Sequence, residues 1–204
     1  IVTSMTYRQS SVSRPDALGR DRDNRLLWRF APKRLEGEAV RDSLLQAAGM
    51  LNTQQSGPSY EDVKEIHFNA GRYYHLIEVK GPKFDRRTIY RFSPRGERDA
   101  ILDTFDCPDP SATTPTRAVT TTPLQALSLS NNVFVWRMAD GLANRVRKEA
   151  GEALLDQVRR SWQLSLGREP DEMERSQASA MIAKHGLASL CRALFNSSEF
   201  VVIE

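Results

Sequence analysis

The clearest periodicity of apolar residues lies in the C-terminal third of the chain. Thr122 and Pro123 are typical of a helix start. The apolar positions that follow predict a helix over 123–148: Leu124, Leu127, Val135, Met138, Leu142 and Val146. A helix over about 152–165 is expected to end at Gly167, and Pro170, acids in the first turn and Gly186 at the end predict another over 168–186; a last helix begins at Leu187. Residues 123–204 are therefore expected to form a helical bundle.

A second apolar stripe lies in the N-terminal quarter of the chain. Its spacing predicts a long helix of about five turns, beginning near Pro32 and ending near Asn52, from these residues: Leu35, Ala39, Leu44, Ala47, Ala48 and Leu51. A short helical segment is expected before it, over 22–30. This long helix is expected to pack on the C-terminal bundle.

The middle of the chain has a different pattern. "YYHLIEV" (73–79) and "RRTIYRF" (86–92) are rich in β-formers and are candidate strands of a small hairpin, inserted within 59–92. Residues 93–122, rich in Pro, Thr and Asp, are expected to form a long irregular arm. The sequence thus predicts a mainly α fold in a single domain, 1–204: a long N-terminal helix packed on a C-terminal bundle, with a hairpin and a connecting arm.

Composition excludes several classes of function. The 29 Lys and Arg and 26 Asp and Glu are interleaved, giving a net charge of +3, which disfavours nucleic-acid binding. No apolar run reaches the roughly 18 residues that span a membrane. The chain starts at Ile1 rather than Met, so we expect a fragment or a processed product. Cys107 and Cys191 form neither CxxC nor CxxCH, so no zinc knuckle and no haem is expected, and they are either free thiols or one disulfide.

Acidic residues are the main candidates for chemistry. Glu38 and Asp42 share a helix face at i and i+4, and with Asp106 they are candidate acid/base groups of a polysaccharide-active enzyme. Ion pairing with nearby arginines explains the same carboxylates without catalysis. Asp103, Asp106 and Asp109 are an alternative calcium-binding set, although proline-closed turns explain their spacing better.

Arginines are the candidate binding residues. Arg41, Arg86, Arg87 and Arg117 either hold an acidic ligand or pair, together with Arg34, with the carboxylates. Histidines offer less. His67 and His75 are separated by a stretch that a hairpin could fold back, but solvent-facing imidazoles are the simpler interpretation, and no HExxH motif is present.

Eight stretches in a characteristic order carry a family resemblance: "TSMTYRQSS", "NRLLWRFAPKRLEGEAVRDSLLQAAGMLN", "GPS", "RRTIYRF", "FDCPDPS", "TRAVTTTPLQALSLSNNVFV", "LGREPDEMER" and "ALFNSSEFVVIE". The order resembles the planctomycete PSD-one family, a domain of unknown function (number fifteen-fifty-three) at the C-terminus of multidomain proteins that often carry cytochrome C domains. Residues 60–80 match none of these stretches. The resemblance implies a mostly helical, extracytoplasmic module with no established activity, of which this chain is the C-terminal half. The family's haem attachment belongs to a different domain.

Two functions follow as expectations. The first is a non-catalytic interaction or scaffold module whose partners are upstream domains of the parent protein, with an acidic glycan as a further candidate ligand. The second is a cell-surface enzyme acting on a polysaccharide. Paired and covered carboxylates favour the first, whereas an open cleft with unpaired carboxylates favours the second.

Overall fold

The computed structural model describes residues 1–203 and divides the chain into two compact units. The smaller unit comprises Ile1–Leu35 with the C-terminal segment from Val201, and the larger unit comprises Glu36–Phe200. Within the described residues the helices are α1 Pro15–Arg20, α2 Gly37–Ala47, α3 Ala100–Thr104, α4 Pro123–Asn131, α5 Val133–Ala150, α6 Leu154–Ser165, α7 Glu172–His185 and α8 Leu187–Phe195. The strands are β1 Lys33–Arg34, β2 Val63–Phe68, β3 Gly71–Leu76 and β4 Val202–Ile203. The fold is thus mainly α, as the apolar pattern predicts.

The core of the larger unit is organised around α5. This helix packs against α2, α4, α6 and α8, and α7 covers α6 and α8. Val135, Met138, Leu142 and Val146 of α5 are fully buried, and they are the stripe on which the helical prediction rests. Among the described residues, no helix combines the length and the apolar character needed to cross a membrane.

The helix expected over 123–148 is two helices. At Asn132 the backbone is extended, and its side-chain oxygen accepts a hydrogen bond from the N–H of Phe134 at 2.8 Å. Asn132 therefore ends α4 and caps α5. Leu124 and Leu127, which extend the apolar repeat into α4, are 67% and 54% exposed, and α4 buries Gln125 and Leu129 instead. The apolar spacing therefore does not reveal the interruption.

The long N-terminal helix is shorter than expected. α2 has 11 residues rather than about five turns, although it does pack on α5. Lys33 and Arg34 are not helical but form β1, which pairs antiparallel with β4. The helix ends before Gly49, whose φ of +70° is unfavourable for side chains with a Cβ atom.

The short helix expected over 22–30 is absent. The carboxylate of Asp21 instead accepts hydrogen bonds from the backbone N–H groups of Arg25 (3.0 Å) and Leu26 (2.7 Å). Asn24 and Leu27 have positive φ angles, which a right-handed helix excludes. Asp and Asn side chains that bind nearby backbone compete with the helix in this way.

The hairpin is present within 59–92, and β3 overlaps the predicted strand 73–79 at residues 73–76, but its partner strand is β2 rather than residues 86–92. β2 pairs with β3 around a turn at Asn69 and Ala70, with Phe68 opposite Gly71. Residues 86–92 are not a strand, since Thr88–Tyr90 forms a 3-10 turn. The expected irregular arm also contains α3, which the Asp99 carboxylate caps by accepting from the N–H groups of Ile101 and Leu102.

Candidate functional site

Most of the candidate site residues lie where α2 meets the segment 84–91. Arg41 of α2 is buried and donates to the backbone carbonyls of Phe84 (2.9 Å) and Arg86 (3.0 Å). Its guanidinium carbon also lies 5.6 Å from the ring centroid of Tyr60 and 5.2 Å from that of Phe134. A buried cation must be satisfied by such acceptors and ring faces, so Arg41 fixes the path of this segment rather than facing a ligand.

Asp42, the next residue along α2, binds the same segment. Its carboxylate accepts from the N–H of Thr88 (2.8 Å), the hydroxyl of Thr88 (2.7 Å) and Nε of Arg87 (3.2 Å). The side chain of Asp42 is mostly buried, whereas that of Arg87 is largely exposed. Three of the roughly four acceptor sites of this carboxylate are therefore occupied by the protein's own donors.

Arg86 points away from α2 and organises a loop. It donates to the carbonyl oxygens of Pro58 (2.8 Å), Ser56 (2.7 Å) and Gln54 (3.3 Å). Its guanidinium carbon lies 4.0 Å from the ring centroid of Tyr90. The planar fork of arginine suits several carbonyls at once, and here all of them belong to the protein's own backbone.

Two further buried ion pairs complete this region. Asp85 is almost fully buried and binds Arg137 of α5 through two hydrogen bonds, at 2.8 and 3.2 Å. Arg91 is also buried and donates to Asp62 at 2.7 Å. The sequence interpretation missed all four residues, because neither pair has a local spacing that marks it. The only sequence signal for any of the four is that Asp85 directly precedes Arg86 and Arg87.

The arm is held to α2 by Arg117. It donates to Glu36 at 2.9 Å and to both carboxylate oxygens of Glu38 at 2.9 Å each. Partial burial is the largest single influence and acts to raise the pKa of Glu38. The hydrogen bonds and charge of Arg117, a backbone hydrogen bond and a hydrogen bond from Cys107 together outweigh it and hold that pKa below its usual range. A carboxylate of lowered pKa is a poor proton acceptor near neutral pH. Glu38 and Arg117 therefore form a strap between the arm and α2.

The three aspartates of the arm do not converge on one point. Asp106 accepts from the N–H of Thr120 (2.8 Å) and from its hydroxyl. Asp103 and Asp109 instead share Arg98, which lies 2.7 Å from Asp103. No group of three or more potential metal-ligating side chains occurs within residues 1–203. The three aspartates therefore bind Arg98 and Thr120 of the same arm rather than facing a common point.

The other candidate groups are also separated or inert. In the hairpin, His67 lies opposite Arg72 and His75 opposite Lys64, so the two imidazoles are at different levels of the ladder. Both cysteines are free thiols. Burial, with the nearby charge of Glu38, raises the pKa of Cys107 to about 11, which leaves its thiol protonated and weakly nucleophilic.

The space over these residues is small. The depression beside Cys107 and Arg91 encloses about 20 Å³, enough for about one water molecule. Ligand sites are typically of roughly 300–1,000 Å³. Among the predicted residues, Arg41, Arg86 and Asp42 lie in an internal network, whereas Arg87 and Arg117 are partly exposed and are paired with carboxylates.

A family comparison is consistent with this geometry and adds no activity. The model of the PSD1 family, described as proteins of unknown function (DUF1553), matches residues 1–182, so the chain belongs to this family. Neither a curated protein nor a solved structure is significantly similar to the chain.

Proposed function

We propose that this protein is a non-catalytic interaction module whose N-terminal segment docks on an acidic partner surface. The single observation that carries the proposal is the state of residues 1–35, all of which the structure describes. None of them is buried, and α1 buries no side chain. Ordering a segment of this length costs conformational entropy, and this segment has no core of its own to offset that cost. A partner surface that covers its apolar side chains would supply the missing free energy.

Apolar side chains are exposed along the whole segment. They are concentrated at its beginning and around residue 26, and they include Ile1, Val2, Met5, Val12, Leu26 and Leu27. Single exposed apolar residues are ordinary, but these six, with Tyr7 and Leu18, make eight in one segment that buries no residue, which indicates a contact surface. We therefore assign this surface, termed the docking segment (residues 1–35), to a partner.

The charge of the docking segment specifies the partner's chemistry. It carries eight Arg and Lys against three Asp, an excess of five positive charges, whereas the net charge of the whole chain is +3. The excess therefore lies in this segment, and the remainder of the chain is close to neutral. An acidic protein surface with apolar patches complements it in charge and character. Upstream domains of the parent polypeptide are our first candidate, in keeping with an extracytoplasmic multidomain protein.

We favour this function over the polysaccharide-active enzyme because the candidate carboxylates are engaged. Glu38 is bound by Arg117, Asp42 by Thr88 and Arg87, and Asp106 by Thr120. An acid/base pair for glycoside hydrolysis needs two carboxyl groups facing a substrate-sized cleft. No observation on these residues favours the enzyme.

Titration calorimetry with the separately expressed upstream domains tests the proposal. We expect saturable binding that weakens as salt is raised, because exposed charge attraction is screened. Changing Arg8→Glu together with Arg22→Glu should weaken binding by about tenfold or more, as should Leu26→Ser with Leu27→Ser. Both sets lie on exposed positions, so the chain should remain folded.

The matched control carries the same charge reversal outside the docking segment. Arg95 and Arg159 are exposed residues of the larger unit, and Arg95→Glu with Arg159→Glu should leave the affinity unchanged. Absence of binding by the unmodified chain would contradict the proposal. Equal weakening by both double reversals would also contradict it, because the effect would then reflect net charge alone.

A further inference from the structure

A trough along the helical bundle has the properties of a ligand site. It consists of three adjoining depressions on α4, α5, α7, α8 and the segment 78–80, with volumes of about 480, 210 and 360 Å³. The first and second share Trp136 and Asp140, and the second and third share Ser189 and Arg192. We infer that this trough, termed the Trp136 trough, binds a neutral glycan chain. The inference goes beyond the docking function and uses none of the residues of the docking segment.

Trp136 is the centre of the trough and is held in place. Its side chain is 43% exposed, an unusual state for a residue of this size on a packed helix. The indole N–H donates to the carbonyl oxygen of Ser130 at 2.6 Å, and the guanidinium carbon of Arg192 lies 5.2 Å from the ring centroid. The ring is thus a fixed, partly uncovered apolar plane, which suits the C–H face of a sugar ring.

Asp140 and Arg192 have unused hydrogen-bonding capacity beside this ring. Asp140 lies one helical turn after Trp136 on α5, and Arg192 lies across the trough on α8. Among residues 1–203, neither side chain takes part in a hydrogen bond or an ion pair. Most arginines of the larger unit are, by contrast, engaged by carboxylates or carbonyls. Asp140 thus offers unpaired acceptor oxygens, and Arg192, although it lies over the Trp136 ring, offers N–H donors without a protein acceptor in the same depression.

The balance of donors and acceptors indicates hydroxyl groups. A hydroxyl both donates and accepts, so neighbouring sugar hydroxyls can satisfy Asp140 and Arg192 together. Side-chain amides and hydroxyls continue this character along the trough at Asn132, Ser189 and Asn196. The lining also carries Glu78, Lys80 and Arg137, but Lys80 pairs with Glu78 and Arg137 with Asp85, so the charges left for a ligand are Asp140 and Arg192.

Other ligand classes fit less well. An acidic polymer would meet the uncompensated carboxylate of Asp140. Nucleic acid would need a row of available cations, but Lys80 is paired with Glu78 at 2.9 Å and Arg137 with Asp85 at 2.8 Å, which leaves Arg192. A helical peptide would need several large aliphatic contacts. The lining offers only Val79, Val133 and Met181 beside the aromatic residues.

Calorimetric titration of the chain with neutral hexasaccharides tests the inference, with tryptophan fluorescence as a second readout. The probes are cellohexaose, laminarihexaose, mannohexaose and xylohexaose. We expect at least one of them to bind saturably and to shift the indole emission. Trp136→Ala should weaken that binding by about tenfold or more, and Asp140→Asn by several-fold, because the neutral amide is a poorer acceptor for sugar hydroxyls.

A variant on another face of the bundle serves as the control. Leu155 on α6 is 65% exposed and lies outside the trough, so Leu155→Ala should bind the sugars as the unmodified chain does. Asp140→Asn replaces an exposed, unpaired group, which keeps the test valid if Trp136→Ala unfolds the chain. Failure of all four hexasaccharides to bind would overturn the inference. Binding that neither Trp136→Ala nor Asp140→Asn weakens would overturn it as well, and so would a trough that binds only peptides from a random-peptide array.

Discussion

Removal of the buried Arg41 cation should destabilise the larger unit strongly. In Arg41→Met the side chain keeps a similar length but loses its donors. The carbonyl oxygens of Phe84 and Arg86, at 2.9 and 3.0 Å, would then be left without their partner, and the apolar side chain would exclude water from them.

The magnitude follows from these contacts. Each buried acceptor that loses a charged donor costs about 1–3 kcal/mol. Loss of the interaction with the rings of Tyr60 and Phe134 adds about 1 kcal/mol. The apolar methionine side chain offsets part of this loss because it is itself buried. We therefore expect the free energy of unfolding to fall by about 3–5 kcal/mol, a large part of the roughly 5–15 kcal/mol typical of a domain.

Urea denaturation followed by far-ultraviolet circular dichroism measures this loss. A lower midpoint with an unchanged slope would report stability alone. Arg87→Met is the matched control, since the Arg87 side chain is 63% exposed and makes a single contact with Asp42 at 3.2 Å. Its cost should stay below about 1 kcal/mol. Losses that agree within about 0.5 kcal/mol for the two variants would refute the reasoning that Arg41 is the internal support.

Three further predictions concern the periphery of the bundle. Hydrogen bonds from Arg168 lower the pKa of Glu174 to about 2, so the stabilising contribution of Glu174 is complete above pH 4.5 and is lost as pH falls toward 2. In Glu174→Gln, the free energy of unfolding should therefore depend less on pH between 4.5 and 2. An unchanged pH dependence would refute a contribution of this ion pair. Burial raises the pKa of Cys191 to about 12, so in Cys107→Ser the remaining thiol should react with a disulfide reagent only as fast as the chain unfolds, and rapid native labelling would contradict its burial. Asp171 caps α7 by accepting from the N–H of Glu174 at 2.7 Å, so Asp171→Ala should cost about 1 kcal/mol in thermal or urea unfolding, and no loss would refute the cap.

Local signals explain why the C-terminal helices were predictable. α6, α7 and α8 end or begin at glycines and at the Asp171 cap, and the apolar residues of α6 and α8 repeat along one face. Pro123 likewise marks the start of α4 within its first turn. Where capping, glycine and periodicity agree, the sequence specifies an element almost to the residue.

Competing local bonds explain where the predictions are wrong. Asp21 and Asn24 bind backbone in a stretch whose composition is helical, and Asn132 interrupts a continuous apolar stripe. β1 depends on β4, which lies at the other end of the chain, and so has no local signal. In the hairpin, the turn at Asn69 would have given the correct register, because Asn tolerates a positive φ there.

The candidate site was predictable in its residues but only partly in its partners. The i, i+4 spacing placed Glu38 and Asp42 correctly on α2, and arginine was an expected partner for both. The chain separation between Arg41 and its acceptors is more than 40 residues, so the carbonyls that satisfy it follow only from the fold. The pair of Asp85 and Arg137 is hidden from sequence for the same reason.

Hydrogen–deuterium exchange of the docking segment, with and without the upstream domains, tests the central claim most directly. Since none of residues 1–35 is buried, their amides should exchange rapidly in the isolated chain, whereas those of α5 should be protected. Addition of the upstream domains should slow exchange around Ile1, Met5 and Leu26 and leave α5 unchanged. Exchange in residues 1–35 that the upstream domains do not alter, or full protection of this segment in the isolated chain, would contradict the account.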